Sequence, residues 1–372
     1  FPLILRFLHP SEPPDLTTPV GFRHSLPHTN INMATDITLR TKIELGVVPT
    51  HIKFVGGLVP DEARKFPREA DGKLTVVAEM ERIIAISRVK ITSAQIPSFP
   101  GADPADINEM ISGLKDLGLI VHLIMMVGGA DPMNPADEDS IVAMLTESLN
   151  AAKAHGITNV ASTSLEEWMK EGAVRKEGAD LDAAIAQLAK VHARAYNDAG
   201  IESSSIEAWH FEFLRDIEFQ TFTDLGRVSQ VVAATNAIIG KPFFKAMVDA
   251  AHCGDSALSI PENEALIAQL AESGELGLFH ASAKTTRGCL STDDGWIGAL
   301  MTACLRTGKT QHVFVELFHH EDPAFEGLRA TDPNHGIDTR DGRSYTQTVA
   351  DGLEATARRL NNLVARGIIP GS

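Results

Sequence analysis

Short apolar runs alternate with longer amphipathic stretches along the chain from Ile37 onward. HIKFVGGL from His51, RVKITSAQI from Arg88, LIVHLIMMV from Leu119 and ITNVAST from Ile157 are the first four runs. SIEAWHFEF from Ser205, FFKAMVDA from Phe243, LGLFHA from Leu276 and HVFVELF from His312 complete the set. Turn residues bound them, and their β-branched and aromatic content predicts strands. The stretches between them place apolar residues three and four apart, which predicts helices beginning near Leu74, Ala105, Ser140, Leu181, Leu225, Asn263, Gly295 and Val349. Several of these end in Gly and follow Asp, Ser or Thr, the residue types that stop and start helices.

Eight strand–helix pairs with no compositional break between them predict a single (β/α)8 TIM barrel of class α/β over residues 37–372. A doubly wound sheet is the competing architecture. It would carry a Gly-rich phosphate loop after its first strand, and VGGLVP from Val55 fits that pattern poorly. Two segments are longer than ordinary connections, Leu165 to Asp180 and His319 to Ser344. They are expected to supply extra helix and an active-site loop. Residues 1–36 are rich in Pro and His, include the internal Met33, and lack a sustained period. They read as a disordered or loosely attached N-terminal extension, with a processed targeting remnant as the alternative.

Composition narrows the function. Of 372 residues, 44% are hydrophobic and 22% charged, as in globular proteins, and no apolar run reaches the roughly 20 residues of a membrane span. The net charge of −16 argues against a nucleic-acid partner, which is gripped by clustered Lys and Arg. Three cysteines, Cys253, Cys289 and Cys304, form no disulfide framework, and a cytoplasmic, reducing setting is expected. Whether the chain self-associates into a homo-oligomer is left open.

Barrel enzymes carry their chemistry at the C-terminal ends of the strands. Here the last four runs end in Glu212, Asp249, His280 and Glu316, with His252 three residues beyond Asp249. Each closes an apolar run where the pattern asks for Val, Leu or Phe. A lone Glu or His in such a place is commonly just solvated or satisfied by neighbours. Four on consecutive strands are harder to dismiss, because three carboxylates brought together would hold at least one proton unless a cation joined them. A mixed oxygen and nitrogen set suits one divalent ion of the Mn, Mg or Co kind.

With these residues the sequence resembles the xylose isomerase-like TIM-barrel superfamily, in its sugar isomerase/epimerase branch typified by ketose 3-epimerases. That branch has a metal-binding Glu on strand five, Asp-x-x-His on strand six, His on strand seven and Glu on strand eight. Those places are filled by Glu212, Asp249-Ala-Ala-His252, His280 and Glu316. The second Glu of the branch, six residues past the first, corresponds to Glu218; its Arg, six residues after the strand-seven His, is nearest to Arg287, seven on.

The resemblance implies an enzyme acting on a small carbohydrate or polyol. Glu212 and Glu316 would serve as metal ligands and as the catalytic acid/base pair. Asp249 and His280 would complete the metal shell, and Glu218, His252 and Arg287 would bind substrate. It also implies glutamate-mediated proton transfer next to a carbonyl through an enediolate, with carboxylate pKa values tuned upward by burial and repulsion. A lyase of the same superfamily, dehydrating an inosose or cleaving a C-glycoside or 3-oxo-glycoside, uses the same first step. A sugar-binding barrel without chemistry is the non-enzyme alternative, and a multi-zinc nuclease is disfavoured by the net charge.

Other residues carry weaker expectations. Lys53 and His122, on the predicted first and third strands, are candidate pocket residues. Cys253 is expected to be a pocket wall rather than a nucleophile, and His319-His320 to be loop residues. Trp209 and Phe211 alternate with His210 and Glu212, so one pair should pack under the helices while the other faces the barrel interior.

Overall fold

A computed structural model describes residues 37–49, 60–283, 295–317 and 344–372. Eight parallel strands close into a barrel in sequence order, the last pairing with the first. They are β1 (Glu44–Val48), β2 (Ser93–Ser98), β3 (Ile120–Met125), β4 (Asn159–Ser162), β5 (Ala208–Phe211), β6 (Phe244–Asp249), β7 (Leu276–Ala281) and β8 (His312–Glu316). The helices are α1 (Thr75–Ile86), α2 (Pro104–Asp116), α3 (Glu138–Ala154), α4 (Gly178–Asp198), α5 (Leu225–Ile239), α6 (Ala250–Asp255), α7 (Ile260–Ser273), α8 (Trp296–Arg306) and α9 (Tyr345–Ala365). Each predicted helix is present. The short α6, which directly follows β6, is an addition that periodicity could not reveal in six residues.

One strand differs from expectation. The first strand is ELGVV, Glu44–Val48, rather than the run from His51. That run, with Lys53, falls on residues outside those described. A charged residue and a glycine make ELGVV a poor apolar run, yet the barrel wall needs the glycine. A Cβ on Gly46 would lie 2.3 Å from Ser93 Oγ and 2.7 Å from the Phe314 ring, so only glycine fits at this point of the wall. Between Leu165 and Glu177 the chain forms turns and no helix, so the extra helix expected there is absent. The extension 1–36, Arg287, Cys289 and the His319–His320 loop lie outside the described residues.

Alternation along each strand divides the molecule into two cores. Outward residues such as Leu45, Val47, Leu123, Trp209, Phe211, Phe244 and Val313 join the helices in one large cluster. Inward residues Val48, Ile124, Ala161, Met247, Leu278 and Phe314 fill the barrel as a second, smaller cluster. Trp209 and Phe211 therefore pack outward, where His192 of α4 stands edge-on to both rings. Helix ends follow local chemistry: Asp224 accepts a hydrogen bond from Arg227 N, Ser259 and Glu262 form a capping box, and α5 stops at Gly240 with φ of 76°.

Strict alternation fails once, in β7. Ala246 pairs with Leu276 but Val248 pairs with Phe279, so β7 carries one extra residue as a bulge. Leu276 faces the helices, Leu278 faces the barrel, and Phe279 faces the helices again. Counting by twos from Leu276 would send His280 outward. The bulge resets the count and turns it into the barrel.

Candidate active site

Glu212, Asp249, His280 and Glu316 meet at the C-terminal end of the barrel. One ligand atom from each lies within 4.8 Å of the others, and all four residues are buried. Nδ1 of His280 lies 3.5 Å from Glu212 Oε1, 3.7 Å from Asp249 Oδ2 and 3.3 Å from Glu316 Oε2. Each side chain arrives by a local rule. Glu212 continues the β5 ladder, its N–H donating to Ser162 O at 3.0 Å. Asp249 ends β6 and caps α6, with Oδ1 accepting from His252 N at 2.8 Å while Oδ2 faces His280. The Asp-x-x-His spacing is thus a helix N-cap whose third residue returns to the site. His252 Nε2 lies 3.4 Å from Glu212 Oε1, outside the four, and Phe213 flanks its ring.

His280 is oriented from across the barrel. Its Nε2 is 2.8 Å from Gln95 Oε1 on β2. An amide oxygen only accepts, so Nε2 carries a proton and Nδ1 is the nitrogen turned to the carboxylate side. Nδ1 is buried at ion-pair distance from three carboxylates and hydrogen-bonds none of them in good geometry. Burial alone would depress the imidazole pKa, but Glu316, Asp249 and Glu212 reverse this and hold it well above the ordinary range. Burial and repulsion from Glu316 push Glu212 upward, as expected, but His252 and His280 outweigh them and its carboxyl sits below the usual value. The three carboxylates thus favour positive charge at Nδ1, and a divalent ion in place of that proton would be met by three carboxylates and one imidazole, the kind of donor set that binds one.

The loop after β5 runs on from Glu212. Glu218 is buried there, accepting from Trp168 Nε1 at 3.2 Å, and its Oε2 lies 3.4 Å from Arg215 Nε. Arg215 in turn reaches Asp255 of α6 at 3.3 Å, tying this loop to the helix that follows Asp249. Glu166 anchors the arrangement by accepting backbone N–H groups of Gln220, Thr221 and Phe222; burial still leaves its pKa raised. Cys253 is a thiol in α6 buried in the large outer cluster, and burial pushes its pKa well up, which does not suit a nucleophile.

Sequence reasoning missed Gln95, Trp168, Arg215 and Glu166. A signal existed only for Gln95, an amide set between Ala94 and Ile96 in the second strand. His122 faces the interior but lies with Glu44 and His312 at the opposite end, so it is no part of this pocket. Among the described residues, no helix is long and apolar enough to cross a membrane.

No family model matches the chain, and no curated protein matches it. Solved structures do. A D-allulose 3-epimerase from Methylomonas sp., in complex with D-allulose, superposes with a TM-score of 0.63 at 15% identity, covering 87% of this chain and 99% of that one. A D-psicose 3-epimerase from Clostridium cellulolyticum H10, with D-tagatose, gives 0.59 at 13%, covering 88% and 100%. An Anabaena variabilis protein, assigned provisionally as a sugar phosphate isomerase/epimerase, gives 0.67 at 16%, covering 86% and 99%. The chain has the closed (β/α)8 fold that these proteins share. At such identities the likeness is one of fold.

Proposed function

We propose that the protein is a divalent-metal-dependent sugar isomerase/epimerase of the xylose isomerase-like superfamily, acting on a ketose or related polyol. The observation that carries this reading is the convergence of Glu212, Asp249, His280 and Glu316 at the catalytic end of the barrel. Glu212, Asp249, His280 and Glu316 would hold one ion of the Mn, Mg or Co class. When bound, that ion supplies Lewis-acid polarisation of the substrate carbonyl and offsets the repulsion among the three carboxylates.

Glu212 and Glu316 come from β5 and β8, which are not neighbours, and approach His280 from separate strands. One carboxylate removes the proton from the carbon next to the carbonyl, leaving an enediolate. The other delivers a proton to the same carbon from the opposite face, and the configuration inverts. The lowered pKa of Glu212 suits it to begin as the ionised acceptor. His252 is within reach to hydrogen-bond the developing enediolate oxygen, and Glu218, fixed by Trp168, is the hydroxyl-binding wall. Arg287 is retained as a substrate contact on the strength of the motif alone. The same motif supports residues 37–372 as one catalytic domain, with 1–36 as an extension.

The test is incubation of metal-loaded protein with a panel of ketoses, inososes and 3-oxo-glycosides in deuterated water. An epimerase gives a product of conserved mass approached from either side, with deuterium at the reacting carbon. Unsaturated products without isomerisation of any ketose would replace the epimerase with a lyase, and no exchange with any substrate would remove the enzyme reading.

A further inference from the structure

The N-terminal end of the barrel holds a second set of ligand-type side chains that the mechanism above does not use. Glu44 opens β1 and His312 opens β8, and the pairing that closes the barrel sets these two residues side by side. His122, the third residue of β3, reaches them through the interior. Its Nε2 lies 2.6 Å from Glu44 Oε1, and Nδ1 of His312 lies 3.2 Å from the same oxygen. One donor atom from each residue falls within 4.8 Å of the other two. The two imidazoles meet edge to face, with centroids 5.0 Å apart, so they present nitrogens to Glu44 instead of stacking.

We propose that Glu44, His122 and His312 form a second metal site, for a borderline divalent ion of the zinc type, at the end of the barrel opposite the carboxylate cluster. Two imidazoles and one carboxylate are a three-ligand set typical of that ion. Both rings converge on a single carboxylate oxygen, where simple hydrogen bonding could spread over two. His312 Nδ1 is a buried atom within reach of that oxygen but makes no hydrogen bond in proper geometry. A tetrahedral ion with bonds of roughly 2.0–2.1 Å spaces its donors about 3.3 Å apart, so His122 and Glu44 need to part by well under 1 Å. The side chains of Glu44 and His312 keep 13% and 22% of their exposure, which leaves a path for entry and room for water as a fourth ligand.

The two sites are separate. The Phe314 ring stands 5.2 Å from His122 on one side and 6.0 Å from His280 on the other, with the apolar interior cluster around it. An ion bridging β1, β3 and β8 would staple the seam where the first strand meets the last. Its role would be structural, in keeping with the stability role of this face in barrels.

The experiment uses full-length protein stripped of metal and reloaded with zinc. Metal per chain is counted after gel filtration, with circular dichroism to confirm folding. Wild type should hold two equivalents and Asp249→Asn one, the survivor being this site. His312→Gln, at the partly exposed rim, and Glu44→Gln should each lose one equivalent or weaken it at least about 100-fold, since a direct ligand is removed. X-ray absorption of the zinc in Asp249→Asn should show two imidazoles. If Asp249→Asn binds no zinc, or His312→Gln and Glu44→Gln hold as much as wild type, the inference is overturned. Epimerase activity plays no part in these readouts, so this result and the functional one fail independently.

Discussion

The two ends of one barrel carry opposite ligand sets. At the C-terminal end three carboxylates surround one imidazole, all buried; at the N-terminal end two imidazoles meet one carboxylate, partly open to solvent. The strands supply both through the same inward alternation, and the difference follows the helices outside. Each helix that follows a strand points its N-terminus, with its positive partial charge, at the C-terminal face, as α6 does directly beneath Asp249. Carboxylates gather there at lower cost. The opposite face receives helix C-termini, which disfavour further negative charge, and there imidazoles replace two of the carboxylates. Under the two proposals above, three carboxylates at one end would serve proton chemistry and a single carboxylate with two imidazoles at the other would serve as a staple.

The largest expected effect separates the ends by chemistry. Glu212→Gln and Glu316→Gln should each lower kcat at least about 1,000-fold with the fold retained, since each removes a proton carrier as well as ligand charge. Steady-state assay and circular dichroism on the same preparations would show this, and near-wild-type turnover in either variant would move the acid/base pair elsewhere. His312→Gln, at the other end, should keep kcat within about threefold, because the N-terminal face of a barrel serves stability and not chemistry.

A second comparison divides the catalytic end itself. Asp249→Asn should weaken ion binding there by about 100-fold or more, whereas His252→Ala should keep the ion and lose substrate affinity. Titration calorimetry with Mn²⁺ would reveal the split. Equal loss in both variants would put His252 in the metal shell. Gln95→Leu tests the reach of the set across the barrel: without its amide acceptor the His280 ring loses its fixed tautomer, and metal affinity should drop about 10–100-fold. Unchanged affinity would make Gln95 a packing residue.

The smallest effect lies in the outer layer, away from both ends. His192 is fully buried between Ser164 Oγ at 2.7 Å and Leu188 O at 2.8 Å, and burial lowers its pKa from 6.5 to about 4. As pH falls, an unfolded imidazole takes up its proton first. Stability present above pH 6.5 is therefore lost progressively between pH 6.5 and 4. At pH 5.5 the loss is about 1.4 kcal/mol. His192→Gln should lack that component, so its stability relative to wild type should rise by about this amount from pH 7.5 to 5.5 in urea melts. Parallel pH profiles would show that His192 titrates alike in both states.

The order of strands and helices, the barrel and the four residues at the strand ends were legible because they depend on periods of two and 3.6 and on residue type, which a chain displays locally. Seven strands were found that way. ELGVV was not, because Gly46 matters only against Ser93 and Phe314, which the linear sequence places far off. His280 was picked by identity, yet its inward direction depends on the β7 bulge, a product of pairing with β6 that alternation by itself would have reversed. Glu44 and His312 become neighbours only through the closing β1–β8 ladder, and Gln95 meets His280 only across the finished interior. Local periodicity fixes which side of a strand each residue takes. Which residues then share a site depends on strand register and barrel closure, and these are set by packing over the whole ring of strands, where a shift of one residue exchanges the inside for the outside.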